Sequence, residues 1–121
     1  MNIFVSLQNK IDLQPMEIKF TKDYLYELYE DGKASSKKHR FQKDIIKRYK
    51  NTIDKLKVAN TIEDLYPIKS LNYEKLSGDK IGLESVRVND KYRIEFISSL
   101  VGEEPYIITI CEIVELSNHY S

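Results

Sequence analysis

The chain has 121 residues, of which 41% are hydrophobic and 31% charged, and its 19 basic and 19 acidic residues cancel to a formal net charge of zero. This length and composition predict one folded domain over residues 1–121, with residues 1–15 as a candidate N-terminal extension, and they exclude a disordered chain. Because the net charge is zero, any nucleic-acid-binding surface must come from segregated charges.

Cysteine content and hydropathy indicate the cellular compartment of the protein. Cys111 is the only cysteine, which excludes an internal disulfide and a multi-cysteine metal site and favours a reducing compartment. The apolar runs are far shorter than the ~20 residues of a membrane span, and residues 1–7 lack the pattern of a signal peptide. We therefore expect a cytoplasmic protein without a membrane partner.

The first predicted strand lies near the start of the chain. Residues 1–14 contain a short alternating stretch that fits a strand or an ordered extension, and its role is left open. Met16, Ile18 and Phe20 then alternate with charged residues, which is the period-two pattern of a half-buried strand.

Two helices are predicted next. Thr21 is placed to cap the first helix and Gly32 to end it. The inward stripe of this helix comprises Leu25, Leu28 and Tyr29. The second helix is longer and strongly amphipathic. Its apolar positions recur at three- and four-residue spacing and are Phe41, Ile45, Tyr49, Ile53 and Leu56.

The outer face of the second helix and of the linker before it is basic. It carries Lys37, Lys38, Arg40, Lys43, Lys47, Arg48, Lys50, Lys55 and Lys57. Such a face is either a solvated helix surface or a contact for nucleic acid or the ribosome. The sequence leaves both interpretations open.

Strands dominate the second half of the chain. Thr61 first opens a short turn with Asp64 in capping-box register. Four strands are then predicted, at residues 73–76, 83–88, 92–97 and 106–114, the last of them central and buried on both faces. The predicted class is α+β, with two N-terminal helices packed on a small, mostly antiparallel sheet.

A tight hairpin brings two arginines together. If residues 89–91 form the loop, Val86 pairs with Ile94, and Arg87 lies directly opposite Arg93. Like charges in this position are destabilising, so the pair indicates a site for an anion such as phosphate, which planar guanidinium groups bind in bidentate fashion. The alternative is a surface ion-pair cluster in which a nearby acid neutralises the arginines. The candidate acids are Glu84, Glu95 and Glu112.

Two further segments offer side chains that transfer protons. His119 and Tyr120 follow the last strand and could fold back beside the arginines, although a frayed polar tail is the simpler interpretation. Tyr73 could stack on a base, and Glu74 or Lys75 could move a proton. Aromatic residues at strand ends more often serve packing, so this signal alone is weak.

Five blocks of sequence follow one another along most of the chain. They are residues 29–32 (YEDG), 59–65 (ANTIEDL), 76–82 (LSGDKIG), 85–89 (SVRVN) and 92–96 (YRIEF). In this order and spacing they resemble the HigB-like branch of the RelE/ParE toxins. The resemblance implies a cognate antitoxin, contact with DNA only through that antitoxin, and endoribonuclease action on mRNA in the ribosomal A site. It implies neither a metal nor a cofactor.

The resemblance also assigns site residues, with departures. Arg93 matches the family's arginine in the block (Tyr/Trp)-Arg-Ile-x-Phe. Where the family commonly carries His before x-Leu-Lys-Gly-Asp, this chain has Glu74, and Ser77 stands at the lysine position with Lys75 nearby. The family's terminal Asp-Tyr-His is also replaced, so that His119 matches its histidine only if two extra residues are accommodated.

The working hypothesis assigns the phosphate to Arg87 and Arg93 and proton transfer to His119 and Glu74. RNA-binding or supporting roles fall to Tyr73, Lys75, Lys80 and Tyr120. Two rivals remain: a ParE-like toxin that binds and poisons DNA gyrase, and an inactive relative that only binds its antitoxin.

Overall fold

The computed structural model describes residues 14–118, in which two helices pack against a five-stranded mixed sheet. The strand order across the sheet is β1-β5-β4-β3-β2. The strands are β1 (Glu17–Phe20), β2 (Glu74–Lys75), β3 (Glu84–Arg87), β4 (Tyr92–Val101) and β5 (Ile108–Asn118), and the helices are α1 (Asp23–Glu30) and α2 (Lys43–Val58). The open question about the first residues falls on 1–13, outside this range.

The predicted α+β class is confirmed, but the predicted position of the helices along the chain is wrong. The two helices are not N-terminal, because β1 precedes them. This strand pairs in parallel with β5, aligning Ile18 with Cys111 and Phe20 with Ile113. A parallel pair needs a crossover connection between its strands, and both helices lie in that connection. The other three strand pairs are antiparallel, as predicted.

One continuous core lies between the helices and one face of the sheet. The helices contribute Leu25, Leu28, Tyr49, Ile53 and Leu56, each 0% exposed. The facing strands contribute Val86, Ile94, Phe96, Cys111 and Ile113, also 0% exposed. The Tyr49 hydroxyl donates a 2.7 Å hydrogen bond to the Leu25 carbonyl and so ties the two helices together. The opposite face of the sheet is therefore left for polar residues.

Of the three predicted caps and stops, the helix end at Gly32 and the capped turn at Thr61 are confirmed, and the helix cap at Thr21 is wrong. Gly32 ends α1 with φ +75°, donating its N–H to the Glu27 carbonyl, and Thr61 and Asp64 form the predicted capping box. Thr21 does not cap α1, since its hydroxyl donates at 2.9 Å to the Ile113 carbonyl. The N-cap residue is Lys22, whose side chain has no acceptor and makes no capping hydrogen bond. Thr21 instead continues the link between β1 and β5.

The last strand also differs from its prediction. β5 lies in the interior of the sheet, as expected, but only one of its faces is fully buried. Thr109, Cys111 and Ile113 are buried, whereas the residues between them are half-buried. A bulge in β5, opposite the step from Glu95 to Phe96 of β4, skips Val114 in the register, so that Glu95 faces Glu115 while Phe96 faces Ile113. Polar and apolar faces are therefore maintained on both sides of the bulge.

Cys111 provides a direct test of this packing. Burial raises the pKa of its thiol to about 12, so the side chain stays protonated and inaccessible at neutral pH. We expect no alkylation of the native protein by iodoacetamide and one label per chain after denaturation, measured by mass spectrometry. Rapid labelling of the native protein would contradict this arrangement of β5. Because the pKa is raised by folding, this thiol stabilises the fold below its unfolded pKa and loses that effect as the pH rises towards 12.

Candidate functional site

The predicted hairpin register is confirmed and places two arginines side by side. Val86 pairs with Ile94 and Arg87 with Arg93 across β3 and β4. The Asn89 side chain closes the loop, because its Oδ1 accepts the backbone N–H groups of residues 91 and 92 at 2.9 and 2.8 Å. Since directly paired residues point to the same side of a sheet, both guanidinium groups lie on the face opposite the core.

The first arginine of the pair is held loosely. Arg87 forms an ion pair with Asp90 of the hairpin loop, and their side chains are 47% and 86% exposed. Exposed pairs of this kind contribute little to stability. Arg87 therefore keeps a guanidinium group that an anionic ligand can reach.

The second arginine is held firmly. Arg93 is 17% exposed and its Nε donates to Glu95 Oε2 at 3.2 Å, while Lys80 Nζ donates to the same oxygen at 2.6 Å. The Glu95 side chain is only 3% exposed. A buried carboxylate held between two cations fixes the position of both. Lys80 belongs to the turn between β2 and β3, so this contact also anchors that turn on the polar face of the sheet.

An open cavity of about 270 Å³, here called the arginine cavity, is lined by both arginines. Glu74 and Ser85, which pair across β2 and β3, form another part of its wall. Asn72 lies at its edge in a left-handed conformation with φ 42°. A carboxylate and two guanidinium groups thus face one solvent-accessible space, which suits an anionic ligand that carries a transferable proton.

A second open space adjoins the arginine cavity. It measures about 530 Å³ and is lined by Glu74, Lys75, Ser77, Lys80 and Arg93. Glu74 and Arg93 belong to both cavities. The structure therefore brings four of the eight predicted site residues together on the polar face of the sheet. These four are Glu74, Lys80, Arg87 and Arg93. Lys75 lines the second space but pairs with Glu84, so its side chain leaves β2 on the side opposite to Glu74.

Tyr73 is not brought to this surface. Its hydroxyl donates to Glu84 at 2.7 Å, and its ring lies between those of Tyr66 and Phe96, on the core side of the sheet. Burial, followed by the hydrogen bond to Glu84, raises the pKa of the phenol well above its usual range. Tyr73 therefore keeps its proton at neutral pH and serves as a structural hydrogen-bond donor.

The tail residues His119 and Tyr120 lie outside the described residues, so their predicted roles stay predictions. Asn118, the last described residue, pairs with Tyr92 at the start of β4. It also contributes to the wall of a groove that Arg87 lines.

The sequence leaves two alternatives open for the arginine pair, a phosphate site and a surface ion-pair cluster. In the structure both arginines form ion pairs, and both also line an open cavity. Glu95 pairs with Arg93, as one alternative predicted, but Arg87 is paired by Asp90, which sequence reasoning did not consider. Glu84 does not take part, since Tyr73 and Ser98 satisfy its carboxylate. The ion pairs orient the arginines while both still line an open cavity.

Metal-ligand groups and membrane-spanning helices are both absent from the described part of the chain. Within residues 14–118 no three His, Cys, Asp or Glu side chains are grouped as metal ligands. Neither described helix is long and apolar enough to cross a membrane.

Comparison with known proteins identifies a family. A family model described as HigB-like toxin, a RelE-like toxin of the type II toxin-antitoxin system HigB, matches residues 18–107. Among solved structures, the chain is similar to a YoeB/ParE toxin from Agrobacterium tumefaciens, with 17% sequence identity and a TM-score of 0.46. That match covers 87% of this chain and 100% of the other. No curated protein matches the sequence significantly.

Proposed function

The chain belongs to the HigB-like family of RelE-like toxins from type II toxin-antitoxin systems, and from this premise we propose that it inhibits translation by cutting mRNA on the ribosome. Membership of such a family implies a cognate antitoxin as its partner. The ribosome and mRNA are the further partners that the proposal requires.

The observation that carries the proposal is the pairing of Arg87 with Arg93 at the wall of an open cavity that Glu74 also lines. Two guanidinium groups on neighbouring strands suit the non-bridging oxygens of one phosphodiester. The ion pair with buried Glu95 orients Arg93 in advance, so less ordering is needed when the phosphate binds.

The proposed reaction is a transesterification within the RNA. The ribose 2′-hydroxyl attacks the adjacent phosphorus, the bond to the 5′-oxygen of the next nucleotide breaks, and the products are a 2′,3′-cyclic phosphate and a 5′-hydroxyl. Arg87 and Arg93 stabilise the negative charge that develops on the phosphate. Glu74, exposed on the cavity wall, takes the proton of the 2′-hydroxyl as general base.

The leaving 5′-oxygen needs a proton, and two sources are proposed. His119 follows directly after Asn118 and is the residue that the family resemblance favours. Lys75 is exposed and lines the adjoining cavity, but it pairs with Glu84 on the other side of β2, so its side chain has to bend around this edge strand to reach the leaving oxygen. Lys80 is less suited because it is committed to Glu95 at 2.6 Å, and we assign it a supporting role.

The cellular test is transcript-wide mapping of new mRNA 5′ ends minutes after the protein is induced without its antitoxin. We expect new ends inside translated frames for the wild type and none for Arg93→Ala at matched expression. Intact mRNA in the wild type would refute the proposal.

One departure from the family's usual sequence supports a second candidate function. Glu74 and Ser77 stand where the family commonly has His and Lys, so a ParE-like toxin that poisons DNA gyrase is the second candidate. Its signature in the same cultures would be DNA breaks and arrested replication with intact mRNA. An inactive antitoxin-binding relative would produce neither effect.

A further inference from the structure

The arginines of this chain are concentrated in one region. Only four of its 19 basic residues are arginine. Arg87 and Arg93 line the arginine cavity, and Arg40, Arg48 and Arg87 line a neighbouring groove of about 630 Å³. The two spaces share four residues of the hairpin, which are Arg87, Asn89, Asp90 and Tyr92. Every arginine therefore borders one of two spaces that have the β3–β4 hairpin as a common wall, although lysine is the usual cation elsewhere on the surface.

The groove, here called the basic groove, is built from three separate segments. Arg40 follows His39, whose ring stacks on Tyr24 with centroids 3.6 Å apart and so holds the linker against α1. Arg48 projects from α2, and Arg87 comes from β3. Convergence of one residue type from three segments is not a consequence of helix amphipathicity, which explains only neighbours on the same helix.

The charges of the basic groove are available to a ligand. Across residues 14–118, the Arg40 side chain has neither an ion pair nor a side-chain hydrogen bond, and it is exposed. Arg48 pairs with Asp44 at 3.2 Å, but these side chains are 55% and 69% exposed. Exposed pairs exchange readily with other anions because water and salt screen them. Lys91 adds a fourth cation to the wall, so that four cations stand against the two carboxylates of Asp44 and Asp90 in the same lining.

Aromatic rings form another part of the same wall. Phe41 and Tyr92 meet edge to face with centroids 5.7 Å apart, and both are half-buried. A positively charged groove with aromatic side chains is the general solution for binding single-stranded nucleic acid, since cations follow the phosphates and bases stack on the rings. An acidic peptide would use the cations without needing these rings.

We propose that the basic groove binds the single-stranded RNA segment next to the phosphate held by Arg87 and Arg93. This inference rests on the proposed function and extends it. Arg40 and Arg48 bind successive backbone phosphates, Arg87 joins the groove to the arginine cavity, and the Phe41–Tyr92 pair contacts a base. Arg40 and Arg48 are thus binding residues for the flanking strand and do not touch the reacting phosphate.

The test is fluorescence anisotropy of the full-length toxin with a labelled 2′-O-methyl RNA of about nine nucleotides, which the proposed reaction cannot cut. We expect the double variant Arg40→Gln with Arg48→Gln to lower the affinity for this RNA at least about tenfold. Because two phosphate contacts are lost, the slope of the logarithm of the binding constant against the logarithm of the salt concentration should also become smaller by about 1.4. Lys33→Gln with Lys69→Gln removes the same charge at exposed positions outside the groove and should leave both quantities nearly unchanged.

Three outcomes would overturn the inference. They are wild-type affinity in the Arg40 and Arg48 double variant, equal losses in the double variant and the lysine control, and absence of RNA binding by the wild type at low ionic strength. A fourth result, tighter binding of polyglutamate than of the RNA at equal charge concentration, would assign the groove to an acidic peptide instead. None of these results affects the transcript mapping, which tests the proposed function separately.

Discussion

Replacing Arg93 by Ala is expected to lower mRNA cleavage by about 10²–10³-fold, the usual effect of removing one group that stabilises charge in the transition state. The fold should survive the change. Without Arg93, the buried Glu95 carboxylate keeps its 2.6 Å contact with Lys80, so the unfolding free energy should fall by only about 1–3 kcal/mol. The two effects are measured by cleavage rate on programmed ribosomes and by thermal unfolding followed by circular dichroism.

Matched variants separate charge from geometry in this experiment. Arg93→Lys keeps the positive charge but loses the planar fork, so we expect it to lose about tenfold in rate, equivalent to one charge-assisted hydrogen bond. Lys33→Ala removes an exposed cation that lines neither cavity and should have no comparable effect. Unchanged cleavage by Arg93→Ala would remove this residue from the mechanism.

Replacing Glu95 by Ala is expected to lower cleavage about tenfold to a hundredfold, although this side chain is too deeply buried to reach the RNA. Glu95 is 3% exposed and holds both Arg93 and Lys80. The substitution leaves a largely buried guanidinium group without this partner, which should cost about 1–3 kcal/mol of stability. Glu95 is thus a positioning residue that acts through Arg93.

A double-mutant cycle distinguishes positioning from general destabilisation. If Glu95 acts through Arg93, the Arg93→Ala protein should lose no further activity when Glu95→Ala is added. Glu115→Ala is the matched control, because Glu115 lies opposite Glu95 but pairs with Lys22 at 2.7 Å and lines neither cavity. Fully additive losses in the double variant would contradict the positioning role.

Local patterns were sufficient to predict the part of the site that matters most. The facing arginines follow from a three-residue loop and period-two alternation, which together fix the hairpin register. The Thr61–Asp64 turn was predictable for the same reason, since its partners are three residues apart. In both cases the interacting groups are close in sequence.

Long-range contacts explain what the sequence could not predict. Thr21 has the right type and position for a helix cap, but the Ile113 carbonyl, 92 residues away, takes its hydroxyl. Tyr73 lies on the core side because its hydroxyl donates a hydrogen bond to Glu84 and its ring packs against neighbouring aromatic rings. The family resemblance covers the arginine hairpin, but nothing local indicates that Arg40 and Arg48 converge on Arg87.

The most direct measurement is cleavage of a defined mRNA by the purified protein, with and without ribosomes, followed by analysis of the RNA ends. The proposed function predicts products with 2′,3′-cyclic phosphate and 5′-hydroxyl ends, formed only when ribosomes are present, and greatly reduced for Arg93→Ala. Intact mRNA in the presence of translating ribosomes would contradict it.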